Sequence, residues 1–334
     1  MSMQNSKCVF LYIILLVFFL SSCGGSGTTA SPDPDPDPET DYRQYMRDFV
    51  QDISSYAKNI DTDFIIIPQN GHDLLTTDGE ATGSLATSYI SAIDGVGRED
   101  LNYGYDNDDE ATPTADKTQM SAFMDIAEDN DIEVLVTDYC STQANMDDSY
   151  QENNSNDYIS FAADERDLNN IPDYPATPYN ENDDNITTLA QAKNFLYLLD
   201  TDNYATVNAF STAVAATNYD LLITDLFFQG EEELTAANVT ALKAKANGGS
   251  RLVIAYMSIG EAEDYRFYWA DNSTASWIKE ENPDWAGNYK VEYWSSGWQD
   301  IIFGNNDSYL KKILDAGFDG VYLDIIDAFE YFEE

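Results

Sequence analysis

The last apolar segment of the sequence places the strongest constraint on the fold. Residues 318–323 form an apolar run that ends on Asp324, and Asp327 and Glu330 follow at helical spacing. A buried strand that stops on a carboxylate delivers that group to the rim of a parallel sheet, where α/β proteins bind their ligands. Little sequence follows Asp324, so we expect the opposite end of the chain to complete the fold around this strand.

The beginning of the chain has a different composition from the rest. Residues 9–20 are apolar and follow Lys7. As a helix they would rise about 18 Å, which is too short for a bilayer core of about 30 Å. We therefore interpret residues 1–22 as a signal peptide. Residues 23–40 carry a Pro-Asp repeat and have the composition of a stiff, solvated spacer.

From Asp41 onward the sequence has a globular composition, and eight short apolar segments in it predict strands. Helical periodicity lies between several of them. This alternation predicts parallel pairing and one α/β domain over residues 41–334, a (β/α)8 TIM barrel. The predicted strands are residues 63–67, 88–96, 132–137, 157–162, 195–199, 219–224, 252–257 and 318–323, and the predicted helices are residues 45–60, 117–130, 235–246 and 309–316.

Polar side chains follow most of the predicted strands. In a barrel of parallel strands, residues at the carboxyl ends of the strands face one rim. We therefore expect an acidic site at that rim. The residues predicted to meet there are Asn70, Asp94 or Glu99, Asp138, Asp225, Glu261 and Asp324.

Charge and rare residues exclude several classes of function. The net charge of −45 argues against a nucleic-acid partner, because phosphate binding needs basic patches. The acidity has two open explanations, solubility and attraction of a cationic substrate. His72 is the only histidine, so a Ser-His-Asp triad or a histidine-rich metal site is not expected. We predict no metal and no cofactor.

Five segments resemble one known family. They are YMSIGEAEDYR at 256–266, GFDGVYLDIIDAFEY at 317–331, ENPDWAGNY at 281–289, DFIIIPQNG at 63–71 and IDGVGREDL at 93–101. These segments are similar to the glycoside hydrolase 114 superfamily, whose members are TIM barrels related to endo-α-1,4-polygalactosaminidases. The resemblance implies a glycoside hydrolase that acts on an α-1,4-linked galactosamine-containing exopolysaccharide.

The order of these segments differs from that of the family. Family members place the 256–266 and 317–331 segments before the 63–71 and 93–101 segments, whereas here the second group comes first. The resemblance therefore implies a circular permutant, with the usual ends joined across residues 168–194 and residues 331–334 packed near residues 41–46. Barrel termini lie close together, so such a change is physically possible. The competing interpretation is a truncated family domain behind an unrelated half.

The resemblance also implies the catalytic residues. Glycosidic hydrolysis needs two carboxyls, one as acid and one as nucleophile or base. The family's pair corresponds to Asp324, as nucleophile or base, and Glu99, as general acid with a raised pKa. A helix cap for Asp324 and a solvated charge for Glu99 remain the alternatives. Predicted substrate contacts are Asn70, Asp138, Asp225, Glu261, Tyr265, Arg266 and Trp294, although Glu261 and Arg266 suit a structural ion cluster equally well.

Cys23 gives a second resemblance. Leu20-Ser21-Ser22-Cys23 is similar to a bacterial lipoprotein signal, which implies lipidation of Cys23 and a cell-envelope location on the periplasmic or surface face of a membrane. An ordinary signal peptide with an incidental cysteine is the alternative. We expect a monomer. The rival to the hydrolase from another class is a non-catalytic, surface glycan-binding lipoprotein.

Overall fold

Eight parallel strands form the centre of the structure, a computed structural model that describes residues 40–333. The predicted signal peptide, the spacer and the lipidation site Cys23 lie outside the described residues. Each strand coincides with, or overlaps, one of the predicted apolar segments. The strands are β1 (Ile65–Pro68), β2 (Gly95–Glu99), β3 (Glu133–Tyr139), β4 (Ile159–Ala163), β5 (Phe195–Tyr197), β6 (Leu221–Asp225), β7 (Leu252–Ser258) and β8 (Gly320–Asp324).

The strands pair in two parallel sheets. One sheet has the order β2-β3-β4 and the other the order β1-β8-β7-β6-β5. Single parallel bridges lie between the sheets, Gln69 with Gly97 beside β1 and β2, and Ser160 with Asn194 beside β4 and β5. This mixed α/β arrangement with central parallel strands is compatible with a barrel.

Helices lie between most of the strands. None of the helices in residues 40–333 has the length and apolar character that a bilayer crossing needs. The α-helices are α1 (Tyr42–Ile60), α2 (Thr87–Ile90), α3 (Thr114–Glu128), α4 (Gln143–Ser155), α5 (Val207–Ala215), α6 (Ala236–Leu242), α7 (Trp269–Asn272), α8 (Ser296–Ile302), α9 (Tyr309–Ala316) and α10 (Glu330–Glu333), and the 3-10 helices are His72–Leu75, Leu189–Gln191 and Ile326–Phe329.

The sequence-based assignments differ from the structure before β2 and at α4. The predicted strand 88–96 begins as helix α2, and β2 starts only at Gly95. Helix α4 was not predicted, because the face that it buries carries Ser149 and Asn153 beside Met146 and Tyr150, which leaves no apolar periodicity.

The segment between Phe267 and Trp298, in which no strand was predicted, contains regular secondary structure. It contributes two strands, Ile278–Glu281 and Asn288–Val291, which join Glu261–Glu263 in a three-stranded antiparallel sheet. Trp298 is fully buried, and its Nε1 donates a hydrogen bond to the carbonyl of Ile259 at 2.8 Å. Part of the aromatic content of this segment therefore serves packing.

The two ends of the described chain meet. Arg43 forms an ion pair with Glu333 at 3.0 Å, and the rings of Tyr42 and Phe332 lie 5.5 Å apart. The prediction that residues 331–334 pack near residues 41–46 is thus confirmed as far as Glu333. Helix α1 also buries one whole face, which includes Phe49 and Ile53. The helix at the start of the chain is therefore part of the core around the last strand.

Gly97 of β2 permits a close contact with the side chain of Tyr322 on β8. A Cβ atom at this position would lie 2.0 Å from the Tyr322 hydroxyl oxygen, so a larger side chain would displace the tyrosine. Because alternate residues of a strand share a face, Gly97 and Glu99 face the same side, as do Tyr322 and Asp324. The glycine lets Tyr322 lie beneath the two carboxyl groups.

Truncation of the buried face of α1 should destabilise the whole domain. Ile53 is fully buried, so Ile53→Ala should lower the free energy of unfolding by about 2–5 kcal/mol. Ser55→Ala, at an exposed position of the same helix, should change it by no more than about 0.5 kcal/mol. Urea denaturation of both variants measures the difference. Equal stabilities would show that α1 is not part of the cooperative core.

Candidate functional site

A cavity of about 720 Å³ opens at the carboxyl ends of the strands. Four of the residues predicted to meet at the rim line it, namely Asn70 after β1, Glu99 of β2, Asp225 of β6 and Asp324 of β8. The strands supply these positions directly, because parallel strands end at one edge.

Glu99 accepts hydrogen bonds at both carboxylate oxygens. Oε2 accepts from Asn70 Nδ2 at 3.0 Å and from the Gln69 side-chain amide, and Oε1 accepts from the Tyr139 hydroxyl. The Gln69 carbonyl oxygen in turn accepts from Tyr197 at 2.9 Å. These neighbours come from β1, β3 and β5, and they hold the carboxylate in one orientation. A carboxylate that extends freely into solvent would not have these hydrogen-bond donors around it.

Within the described part of the chain, Asp324 accepts fewer side-chain hydrogen bonds than Glu99 does. Its Oδ2 accepts a hydrogen bond of 2.7 Å from the Tyr256 hydroxyl on the neighbouring strand β7. Burial, and then the negative charge of Glu99, raise the pKa of Asp324 to about 7. The N-cap position of the following 3-10 helix is occupied by Ile325, with φ of 58° and no side-chain cap bond. The helix-cap alternative for Asp324 is therefore not supported.

Asp327 is a third carboxyl in this region that we did not predict as a site residue. It lines the same cavity as Glu99 and Asp324. Burial, then Glu330 and more weakly Glu99, raise the pKa of Asp327 to about 7. Its spacing of three residues from Asp324 was visible in the sequence, but spacing alone does not distinguish a cavity residue from a surface one.

Arg266 and its partners form one wall of the cavity. The guanidinium contacts Glu263 at 2.6 Å and Asp225 at 2.7 Å, and it is almost completely buried. Burial raises the pKa of Asp225 even with Arg266 beside it. The structure thus favours the ion-cluster interpretation of Arg266, in which its charge is balanced by protein carboxylates.

Two aromatic side chains lie at the opening of the cavity. Tyr265 is 51% exposed and Trp285 is 59% exposed, and both line it. Tyr265 donates its hydroxyl hydrogen bond to Glu263, which fixes the ring. Exposed aromatic faces of this kind are suited to stacking on the apolar face of a sugar ring.

Asp138, which was predicted to meet the other acidic residues at the rim, lies away from the cavity. Asp138 is fully buried and does not line the cavity. It accepts hydrogen bonds from the Asn102 backbone at 2.7 Å and from the Ser149 hydroxyl at 2.6 Å, with further donors from Asn153 and the Tyr103 backbone. Its role is to satisfy the polar face of helix α4 and the loop after β2. Strand position alone pointed to the rim, although this side chain turns away from it.

Glu261 and Trp294, which were predicted as substrate contacts, also lie outside the cavity lining. Glu261 is fully buried, and its Oε1 accepts hydrogen bonds from Asn282 at 2.8 Å and from Tyr331 at 3.0 Å. Trp294 packs against Tyr42 and Phe332, with ring centroids 5.1 and 4.7 Å away. Both residues attach the C-terminal segment to its neighbours, and neither lines the cavity.

The cavity is strongly acidic. Its two arginines, Arg166 and Arg266, both form ion pairs with protein carboxylates. Within residues 40–333, the exposed Asp167, Asp200 and Asp202 have no ion-pair partner. The lining therefore presents negative charge to a ligand. The acidic residues that line it are Glu99, Asp167, Asp200, Asp202, Asp225, Glu263, Asp324 and Asp327.

Three uncharacterized proteins are similar to parts of this chain. The one from Methanocaldococcus jannaschii is 41% identical over 156 residues, which is 46% of this chain and 43% of the relative. The one from Thermotoga maritima is 37% identical over 134 residues, or 39% and 40% of the two chains. The one from Deinococcus radiodurans is 39% identical over 121 residues, or 35% and 36%. The chain thus matches less than half the length of each relative.

A family comparison covers the C-terminal part of the chain. The matched segment contains β5 to β8 and with them Asp225, Arg266 and Asp324, whereas Asn70 and Glu99 precede it. The family is described as glycoside-hydrolase family GH114. Residues 176–334 of this chain, slightly less than half of it, are similar to that family.

Proposed function

We propose that the protein hydrolyses glycosidic bonds with Asp324 and Glu99 as its carboxyl pair. The observation that carries this proposal is their joint position. The two groups come from β8 and β2, line one cavity, and lie near enough for the charge of Glu99 to raise the pKa of Asp324. Two carboxyls in one cavity, one to protonate the leaving oxygen and one to attack or to activate water, are the chemical requirement for acid-assisted glycoside hydrolysis.

The roles follow the family resemblance. Glu99 protonates the leaving glycosidic oxygen, and Asp324 attacks the sugar or activates water. Tyr256 orients Asp324, and the three donors from β1 and β3 orient Glu99. A fixed orientation contributes to catalysis, because the two carboxyl groups lose little further conformational entropy when the substrate binds.

The substrate we propose is an α-1,4-linked, galactosamine-containing polysaccharide. Free amino groups make such a polymer cationic, and the acidic lining of the cavity would raise its local concentration. Asp167, Asp200 and Asp202 are the residues best placed to attract ammonium groups, since each is exposed and lacks an ion-pair partner within residues 40–333. Tyr265 and Trp285 would stack on the sugar rings.

We also propose that the strands form a closed (β/α)8 barrel of circularly permuted order. The two parallel bridges between the sheets support closure. The contact between Arg43 and Glu333 supports the permutation, because α1 lies beside the segment after β8. A family match confined to residues 176–334 is what a permuted chain would give, since one continuous alignment can follow only one of the exchanged halves.

The location of the protein is a further part of the proposal. Lipidation of Cys23 and the spacer over residues 23–40 would hold the domain at the cell envelope, where an exopolysaccharide is accessible. This part is supported by the sequence alone.

Substitution of the two carboxyls should separate their roles. Asp324→Asn should abolish release of reducing ends from galactosaminogalactan and from its deacetylated form. Glu99→Gln should lose about 10²–10⁴-fold on the polysaccharide but keep most of its activity on an aryl glycoside, whose leaving group needs little protonation. Retained polysaccharide binding without hydrolysis by the wild-type protein would instead favour the glycan-binding lipoprotein.

The rate should depend on the ionisation of Asp324. As nucleophile or base this carboxyl acts in its ionised form, so its pKa of about 7 predicts that kcat/KM rises as the pH rises through about 7. Initial rates between pH 4 and pH 9 measure this limb, and Asp327→Asn should retain it. A rate that does not change between pH 5 and pH 8 would contradict this role of Asp324.

Burial of the Asp324 carboxyl should also lower the free energy of unfolding when the group is ionised. A pKa raised in the folded state gives a contribution to stability that is complete below the unfolded pKa and is lost as the pH rises through about 7. Asp324→Asn should therefore raise the free energy of unfolding at pH 8 by about 2–4 kcal/mol, and by less at pH 5. Urea denaturation measures both, with the exposed Asp284→Asn as control. Destabilisation at pH 8 would show a structural role instead.

A further inference from the structure

A second cavity, of about 610 Å³, adjoins the first. Asn70 and Asp327 line both cavities, so the second one begins next to the proposed catalytic carboxyls. Helix α3 contributes Met120 and Phe123 to its wall, and both are almost completely buried. The hydrolytic step proposed above uses no residue that is exclusive to this cavity.

Arg98 is the unusual residue of the second cavity. Because strand residues alternate between faces, Arg98 points away from the side on which Glu99 meets Asp324. Its side chain is partly exposed, and its Nε is enclosed without an acceptor. By contrast, Arg43 in the same cavity contacts Asp73 at 2.8 Å. Within residues 40–333, the Arg98 guanidinium forms neither an ion pair nor a hydrogen bond.

The charge around Arg98 restricts what it can bind. Burial lowers the pKa of Arg98, but a guanidinium stays charged at neutral pH and offers several donors. An anionic ligand would meet repulsion from the many carboxyl groups of this cavity, whereas a neutral carbonyl oxygen would gain a charge-assisted hydrogen bond. The acidic residues that line it are Asp73, Asp78, Glu80, Asp116, Asp327 and Glu330.

The apolar part of the cavity wall further restricts which chemical group can bind there. Met120 and Phe123 offer contacts to a small apolar group near the arginine. An acetamido group combines a neutral carbonyl acceptor with a methyl group, so it satisfies both features of the cavity. A free ammonium group would be repelled by the Arg98 guanidinium and would make no apolar contact with Met120 and Phe123.

We propose that Arg98 and the second cavity form a subsite for an N-acetylated amino sugar. This inference rests on the proposed function and deepens it. The first cavity, with its unpaired aspartates, takes a residue with a free amino group, and the second cavity takes an acetylated neighbour in the same chain. The protein would then act on partly deacetylated polymers and discriminate by the pattern of acetylation.

The test is binding of two galactosamine oligosaccharides that differ only in N-acetylation. Isothermal titration with the Arg98→Met variant should show about 10- to 100-fold weaker binding of the partly acetylated oligosaccharide than the wild type shows. Binding of the fully deacetylated one should change by less than about threefold. Arg98→Lys keeps the charge but not the planar set of donors, so it should restore only part of the affinity.

Several results would overturn the inference. Equal losses for both oligosaccharides would show a general effect of charge or folding, and unchanged binding of both would show that Arg98 contacts no acetyl group. No binding of either oligosaccharide to the wild type would overturn it as well. Full recovery of affinity by Arg98→Lys would assign the effect to charge alone.

Hydrolysis is measured separately, so the two proposals fail in different ways. If the wild type releases reducing ends and Arg98→Met keeps the same acetylation preference, the subsite is wrong and the hydrolase stands. If the acetyl-dependent binding is lost in Arg98→Met but the wild type releases no reducing ends, the subsite stands and the hydrolytic function fails.

Discussion

The electrostatic coupling of Glu99 and Asp324 is the interaction on which the rest of the site depends. Two carboxyls in one partly desolvated cavity repel each other when both are ionised, and burial adds to the free-energy cost. Hydrogen-bond donors on or next to the surrounding strands reduce the free-energy cost of burying the two carboxyls. Asn70 and Tyr139 donate to Glu99, and Tyr256 donates to Asp324. In the part of the chain that the structure describes, the two carboxyls are thus held by hydrogen-bond donors and not by ion pairs with cationic side chains.

This arrangement requires elements from both ends of the chain to come together. Glu99 lies on β2 and Asp324 on β8, and the ladder between them passes through β1. Helix α1 buries an apolar face there, and Arg43 reaches Glu333. Gly97 admits the ring of Tyr322 beneath the carboxyls. Helix α1 and the segment after β8 therefore pack together next to the strands that carry the two carboxyls.

The apolar runs were sufficient to predict the strands, because a buried parallel strand needs a short, continuous apolar segment. They were insufficient for α4, whose buried face includes Ser149 and Asn153 and is satisfied by Asp138. The same network explains why Asp138 was predicted at the rim, since its hydrogen-bond partners are distant in sequence. Tyr197 and Tyr256 were not predicted for the site, because a tyrosine within an apolar strand has no local signal that distinguishes a core ring from a hydroxyl donor. The strand ends placed Asp324, and Asp94 or Glu99, at the rim, and only the family resemblance selected Glu99 and Asp324 as a catalytic pair.

The net charge of −45 has a local consequence that composition could not show. Both arginines of the first cavity are neutralised by protein carboxylates, so its excess negative charge faces the ligand. Arg98 in the adjoining cavity is the exception, because it has no such partner within residues 40–333. An acidic surface made only for solubility would not need an enclosed, unpaired guanidinium next to its acidic cavity. The proposed binding of a polymer whose neighbouring sugars differ in charge would account for this contrast between the two cavities.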